Sequence, residues 1–177
     1  MGLGRWLPEQ LFARRIVLVT GCLEDDAAAA AAAALRALDA NADKPIDLHL
    51  DSADGTLEAA FVLIDTLDLL RARLRVQCRG QVGGPAIGVI AAADHRTAAP
   101  HARFRLSQPT DRFAGPPDEL AARSRQQQDL LWRLYARLAR RTGRPAEEIA
   151  EDMRCGRYLD VREALEYGLM DEVSGTK

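Results

Sequence analysis

Imidazoles and thiols, the side chains best suited to proton transfer and nucleophilic attack near neutral pH, are few in this chain. There are three histidines, His49, His95 and His101, and three cysteines, Cys22, Cys78 and Cys155. His49 falls on the outer face of an alternating segment, and His95 and His101 flank a turn. None stands at a spacing from a hydroxyl or carboxylate that marks a general base. His95 and His101 lack the further ligands that a metal centre needs, so all three imidazoles read as structural or solvated, and no metal is expected. The cysteines are odd in number and widely spaced, which disfavours a disulfide framework and a Cys-type zinc site. Cys155 lies in RCGR, where two arginines favour the thiolate, but no base or oxyanion donor accompanies it. Two glycine-bearing turns remain, DSADGT (51–56) and GQVGGP (80–85). Each joins a strand to a helix, the place where α/β folds hold ligands. Neither matches GxxxxGK[ST] or GxGxxG, so no nucleotide cofactor is expected.

The elements that must carry these turns alternate between short apolar runs and helical ones. Strands are predicted at 15–20 (RIVLVT), 46–51 (IDLHLD), 74–79 (LRVQCR) and 103–107 (RFRLS). An alanine-rich helix capped by Asp25 or Asp26 follows the first strand, and a second helix covers roughly 57–72. GQVGGP leads into a short helix, AIGVIAAADH, and a long helix covers roughly 117–141. A helix after Pro145 and a last one, VREALEYG, stopped by Gly168, complete the chain. This order implies βα units around a mostly parallel sheet in one domain. The long helix carries an apolar stripe that includes Leu131 and Tyr135, with Trp132 beside it, which leaves self-packing and an oligomer contact equally open.

The chain has 177 residues, 47% hydrophobic and 28% charged, with a net charge of -2. That suffices for a core and offers no basic surface for nucleic acid. No apolar run reaches the length of a bilayer span, and the first residues do not form a signal peptide, so a cytoplasmic protein is expected. The Ala-rich, Arg-rich composition points to a high-GC bacterial genome.

At the two turns the order of elements resembles the proteolytic subunit of the Clp protease, ClpP, a serine peptidase of the crotonase-like superfamily. The resemblance runs from about Leu11 to Val173. It rests on RRIVLVTG, on IDLHLDSADGT where the family has Ser-Pro-Gly-Gly, and on GQVGGPAIGVIAAA where it has Gly-Gln-Ala-Ala-Ser-Met-Gly. It rests further on LSQPT, RRTGRP and YLDVREALEYGLMDEV. It implies a repeated β-β-α superhelical α/β fold in a single domain over 1–177. The head would cover roughly 11–110 and 145–173, and a protruding handle roughly 110–143.

Carried over residue by residue, the family's nucleophilic serine falls on Gly84, its histidine on Ser107 and its aspartate on Gly156. None of the three can do the work of the residue it replaces. The family's oxyanion donors fall on Gly55 and Pro85, and proline has no N–H to give. Loss of one such donor typically costs ~10²–10³ in rate. The resemblance thus implies a catalytically inactive relative, without cofactor, that forms a seven-membered homo-oligomeric ring or joins an active ClpP homologue as a structural or regulatory subunit. Leu131, Trp132 and Tyr135 would serve the oligomer contact. The outward docking positions for the unfoldase carry Asp47 and His49, which receive an apolar loop poorly. Pro116 and Pro117 weaken pairing of the handle strand within TDRFAGPP, which favours ring formation over ring stacking. Two other readings stay open. One is a peptidase with a relocated nucleophile, Ser107 or Cys155. The other is a crotonase-like acyl-thioester binder with Asp54 as the only local carboxylate.

Overall fold

The computed structural model describes residues 9–40, 44–109 and 114–175. A short helix, α1 (9–13), leads into β1 (Ile16–Thr20), and α2 (Asp25–Asp39) returns antiparallel to it. Next come β2 (Ile46–Asp51), α3 (Leu57–Asp68) and β3 (Leu74–Cys78). The second turn opens with β4 (Gln81–Gly83), passes through a 3₁₀ turn (Gly84–Ala86) and enters α4 (Ile87–Ile90). Then follow β5 (His95–Ala98), β6 (Arg103–Leu106), α5 (Pro117–Thr142), α6 (Ala146–Cys155), β7 (Arg157–Leu159), α7 (Val161–Glu166) and β8 (Glu172–Val173).

Five strands form one parallel sheet in the order β1-β2-β3-β5-β8. Val17 pairs with Leu48 and Leu48 with Val76, so the inward residues of the first three strands form apolar rows. Ile46, Leu48 and Leu50 are fully buried, while Asp47 and His49 between them are half-buried on the other face. Burying several side chains per strand at ~1.5–3 kcal/mol each makes this sheet the main source of stability. Helices α2 and α3 cover its inner face. Alanines 28, 31 and 32 are buried there, and their small side chains let the helix lie close to the strands.

A second sheet, β4-β6-β7, stands apart from the first. Its strands β4 and β6 run parallel, and β7 runs antiparallel to β6.

The structure corrects several expectations. The N-cap of α2 is Glu24, without a side-chain cap; Asp25 and Asp26 lie in the first turn, where they favour the helix dipole instead. The helix expected over AIGVIAAADH is only the 3₁₀ turn and four α-residues, because His95–Ala98 leaves to pair with β3. His95 therefore lies in a strand and not at a turn. No residue of α5 from Pro117 to Arg133 is buried; only Leu134, Tyr135 and Leu138 reach the core. The first turns of this helix are thus exposed, and it meets the body from Leu130 and Leu131 onward. Of the handle strand expected within TDRFAGPP, residues 110–113 lie outside the described residues, as do residues 1–8 before α1.

Candidate functional site

The small sheet is what gathers the site. In β4 and β6, Gly83 lies opposite Arg105; in β6 and β7, Leu106 lies opposite Arg157. Gly84 follows Gly83, Ser107 follows Leu106 and Gly156 precedes Arg157. The three positions therefore emerge at one end of the same sheet, although 72 residues of sequence separate the first from the last.

Gly84 opens the 3₁₀ turn with φ +54°, the left-handed conformation of a sharp strand-to-helix elbow. Pro85 occupies the next position, buried and without an N–H, and suits the start of the turn. On the facing loop, the Gly55 N–H donates to Asp54 Oδ1 at 2.8 Å. A Cβ placed on Gly84 would stand 2.6 Å from that same oxygen. One carboxylate oxygen thus both accepts from the Gly55 N–H and fills the space that a side chain on Gly84 would take. The loop that holds it is fixed. The Leu23 N–H donates to the Asp54 carbonyl at 2.9 Å and Ser52 Oγ donates to it at 3.0 Å. Gly55 is itself pressed against Leu23, whose carbonyl oxygen would lie 2.5 Å from an added Cβ. Close packing of two chain segments therefore requires this glycine independently of any chemistry.

Ser107 is 5% exposed and lines a pocket of about 420 Å³ with Arg105, Gln108, Cys155 and Gly156. Gly156 ends α6 in the left-handed conformation, its N–H donating to the Asp152 carbonyl. The glycine thus stops the helix in the way that its left-handed backbone allows.

Cys155 departs from the sequence expectation. Its thiol donates to Glu151 Oε1 at 3.2 Å. That hydrogen bond raises its pKa, with burial and the Glu151 charge adding to the effect, and Arg154 only partly opposes them. Arg154 is engaged by Glu151 through Nε and Nη2 at 2.9 and 2.6 Å, and Arg157 by Asp152. The arginines that flank Cys155 in sequence are neutralised by helix α6 and leave it a thiol. Burial raises Cys78, and burial together with Glu24 raises Cys22, so both are also held as thiols.

On the open face of the large sheet, Asp47 receives Arg75 through two hydrogen bonds of 2.7 Å. His49 is held below the ordinary histidine value by burial and by the Arg79 cation. His95 Nε2 lies 3.2 Å from Glu172 Oε1, a partner that sequence spacing did not disclose because it stands on β8. His101 is exposed in the turn before β6. Leu131, Trp132 and Tyr135 sit at the root of the free part of α5. Tyr135 is 3% exposed, packs into its own domain and accepts a hydrogen bond from Gln108 Nε2 at 3.0 Å. Trp132 is 50% exposed and meets the Tyr135 ring edge-on, with centroids 5.5 Å apart. Of these two aromatics it is Trp132 that has free surface.

Among the described residues no helix is long and apolar enough to cross a membrane, and no three metal-ligating side chains gather. A family model described as Clp protease matches residues 6–177 of the chain.

Proposed function

Because the chain belongs to the Clp protease family, we propose that it is a catalytically silent member, a ring-forming subunit whose role is structural or regulatory. The observation that carries this reading is the Asp54 carboxylate. It accepts from Gly55 N–H and lies against Gly84, where a peptidase needs open space for a nucleophile and a carbonyl oxygen. Gly84, Ser107 and Gly156 supply no nucleophile, no imidazole and no orienting carboxylate, and Pro85 withdraws a second donor. A shifted nucleophile fares no better, since Cys155 is bound to Glu151 and raised in pKa.

Assembly is supported by surface that one copy leaves uncovered. Strand β1 is an edge of the large sheet, and its outer side opens on an apolar groove of about 570 Å³ formed with α1 and α2. Leu18 there is 45% exposed, and Trp132 adds a second apolar patch. An uncovered apolar edge strand invites a partner.

Co-expression with an active homologue tests the subunit role; native mass spectrometry is expected to find mixed rings. A fluorophosphonate probe and a fluorogenic peptide test silence. Labelling of one residue together with turnover would refute it, and clean separation into unmixed particles would remove the regulatory role.

A further inference from the structure

Arg105 lines the pocket that holds Ser107, and among the described residues no carboxylate pairs with it. The sheet register places it in one row between Gly83 and Tyr158. Gly83 has no side chain, and a Cβ there would come within 3.2 Å of Arg105 Cβ, so the arginine stem lies along bare backbone. Its guanidinium carbon sits 5.7 Å from the centroid of the Tyr158 ring. Its Nε is buried and has no hydrogen-bond partner, and no carboxylate among the described residues pairs with it. The contrast with its neighbours is sharp: Arg154 is paired with Glu151 and Arg157 with Asp152. The Nε is closed off from the pocket, so a ligand would meet the terminal Nη groups, which have no carboxylate partner among the described residues and belong to the wall of the pocket that also holds the buried Ser107.

We infer that this pocket binds a carboxylate, specifically the free C-terminal carboxylate of a peptide. The guanidinium offers the planar pair of N–H groups that fits a carboxylate, and Ser107 adds a hydroxyl donor from the same pocket. The peptide body has somewhere to lie. The pocket shares Gln108 and Arg154 with a neighbouring groove of about 360 Å³ lined also by Leu131, Trp132 and Tyr135. A small free anion would use none of that surface. The inference rests on the silent reading only in that the peptide is held and not consumed. The positions that would cleave it have become the wall that binds its end.

The test uses the full chain and a fluorescein-labelled Ala-Ala-Leu-Ala peptide, as the free acid and as the C-terminal amide. Anisotropy is expected to show the acid binding about tenfold or more tightly than the amide. Arg105→Gln should abolish that preference, and Arg105→Lys should keep part of it. In the unaltered protein, the Arg105 Nε–H resonance should shift with the acid and not with the amide, a readout that survives if a variant fails to fold. Equal binding of acid and amide, binding of neither, or an unmoved resonance would each overturn the proposal. Acetate that saturates the same resonance at the peptide's own concentration would overturn the assignment to a peptide. Mass spectrometry of the bound peptide separates the two readings: cleavage would refute catalytic silence and leave the Arg105 site standing.

Discussion

Asp54 is the residue on which the site turns, and its effect is local enough to measure. Gly84 holds a left-handed backbone, which costs an L-residue about 1–2 kcal/mol. A methyl group there would also press on Asp54 Oδ1. Gly84→Ala is therefore expected to lower stability by more than the backbone cost alone. Combined with Asp54→Gly, the loss should fall short of the sum of the single losses by about 0.5 kcal/mol or more, since the two positions touch. Urea denaturation of the two single variants and the double variant reads this coupling; strict additivity would mean that Asp54 does not fill the elbow. Gly84, Ser107, Gly156 and Pro85 could be placed by resemblance in the sequence. The capture of Gly55 N–H by Asp54 could not, because adjacent residues in a turn reveal no side-chain direction.

Among the elements, the short strands decide the architecture, and they are the ones least visible in sequence. β4 is only Gln-Val-Gly, too brief and too glycine-rich to show a period of two. It exists because Arg103–Arg105 pairs with it from 22 residues away. β2 is the opposite case, since its alternation of Ile46, Leu48 and Leu50 with polar residues announces both strand and facing. Its outward His49 gives a pH test. The folded imidazole has a lowered pKa, so on acidification the unfolded chain takes up the proton first. Stability is then full above the ordinary histidine value of ~6.5 and declines as pH falls through it. His49→Gln should flatten that decline between pH ~7 and ~5.5, as followed by thermal melts. At the root of α5 the fit is tight. A side chain on Gly88 would run into Leu134 Cδ1 and come within 3.0 Å of Ile64 Cδ1. Gly88→Val is expected to cost about 2–3 kcal/mol by overpacking, measured by urea denaturation.

Across the whole molecule, an ion pair between the buried Arg96 and the partly exposed Asp171 ties the C-terminal segment to the central sheet. Arg96 is 5% exposed and donates from Nε to Asp171 Oδ2 at 3.0 Å, from Nη1 to the Gly168 and Leu169 carbonyls at 2.7 and 2.8 Å, and from Nη2 to Asp171 Oδ1 at 2.5 Å. Burial alone would raise the Asp171 pKa, but hydrogen bonds and charge from Arg96 hold it below the ordinary carboxylate value. The pair therefore adds stability at neutral pH and loses it as pH falls through the carboxyl range. Asp171→Asn removes the charged partner of a buried cation that keeps the Gly168 and Leu169 carbonyls, and it should cost about 1.5–3 kcal/mol at pH 7, with a smaller penalty near pH 3. Denaturant titrations at the two pH values check both parts; an equal penalty at both would mean the charge is not what matters.

Composition, the alternation in Ile46–Asp51, the alanine helix and the glycine stop at Gly168 determined the class of fold. Each is a signal between residues within one or two helical turns or along one strand. The sequence likewise determined which atoms are missing, since a glycine has no oxygen and a proline no N–H wherever the chain places them. Tertiary structure alone decided which remaining groups meet. It set Asp54 over Gly84, turned Glu151 against Cys155, brought Glu172 to His95, and left Arg105 without a carboxylate among the described residues. Those outcomes depend on strand pairing between segments far apart in the chain, and side-chain chemistry encodes no distance until that pairing is made.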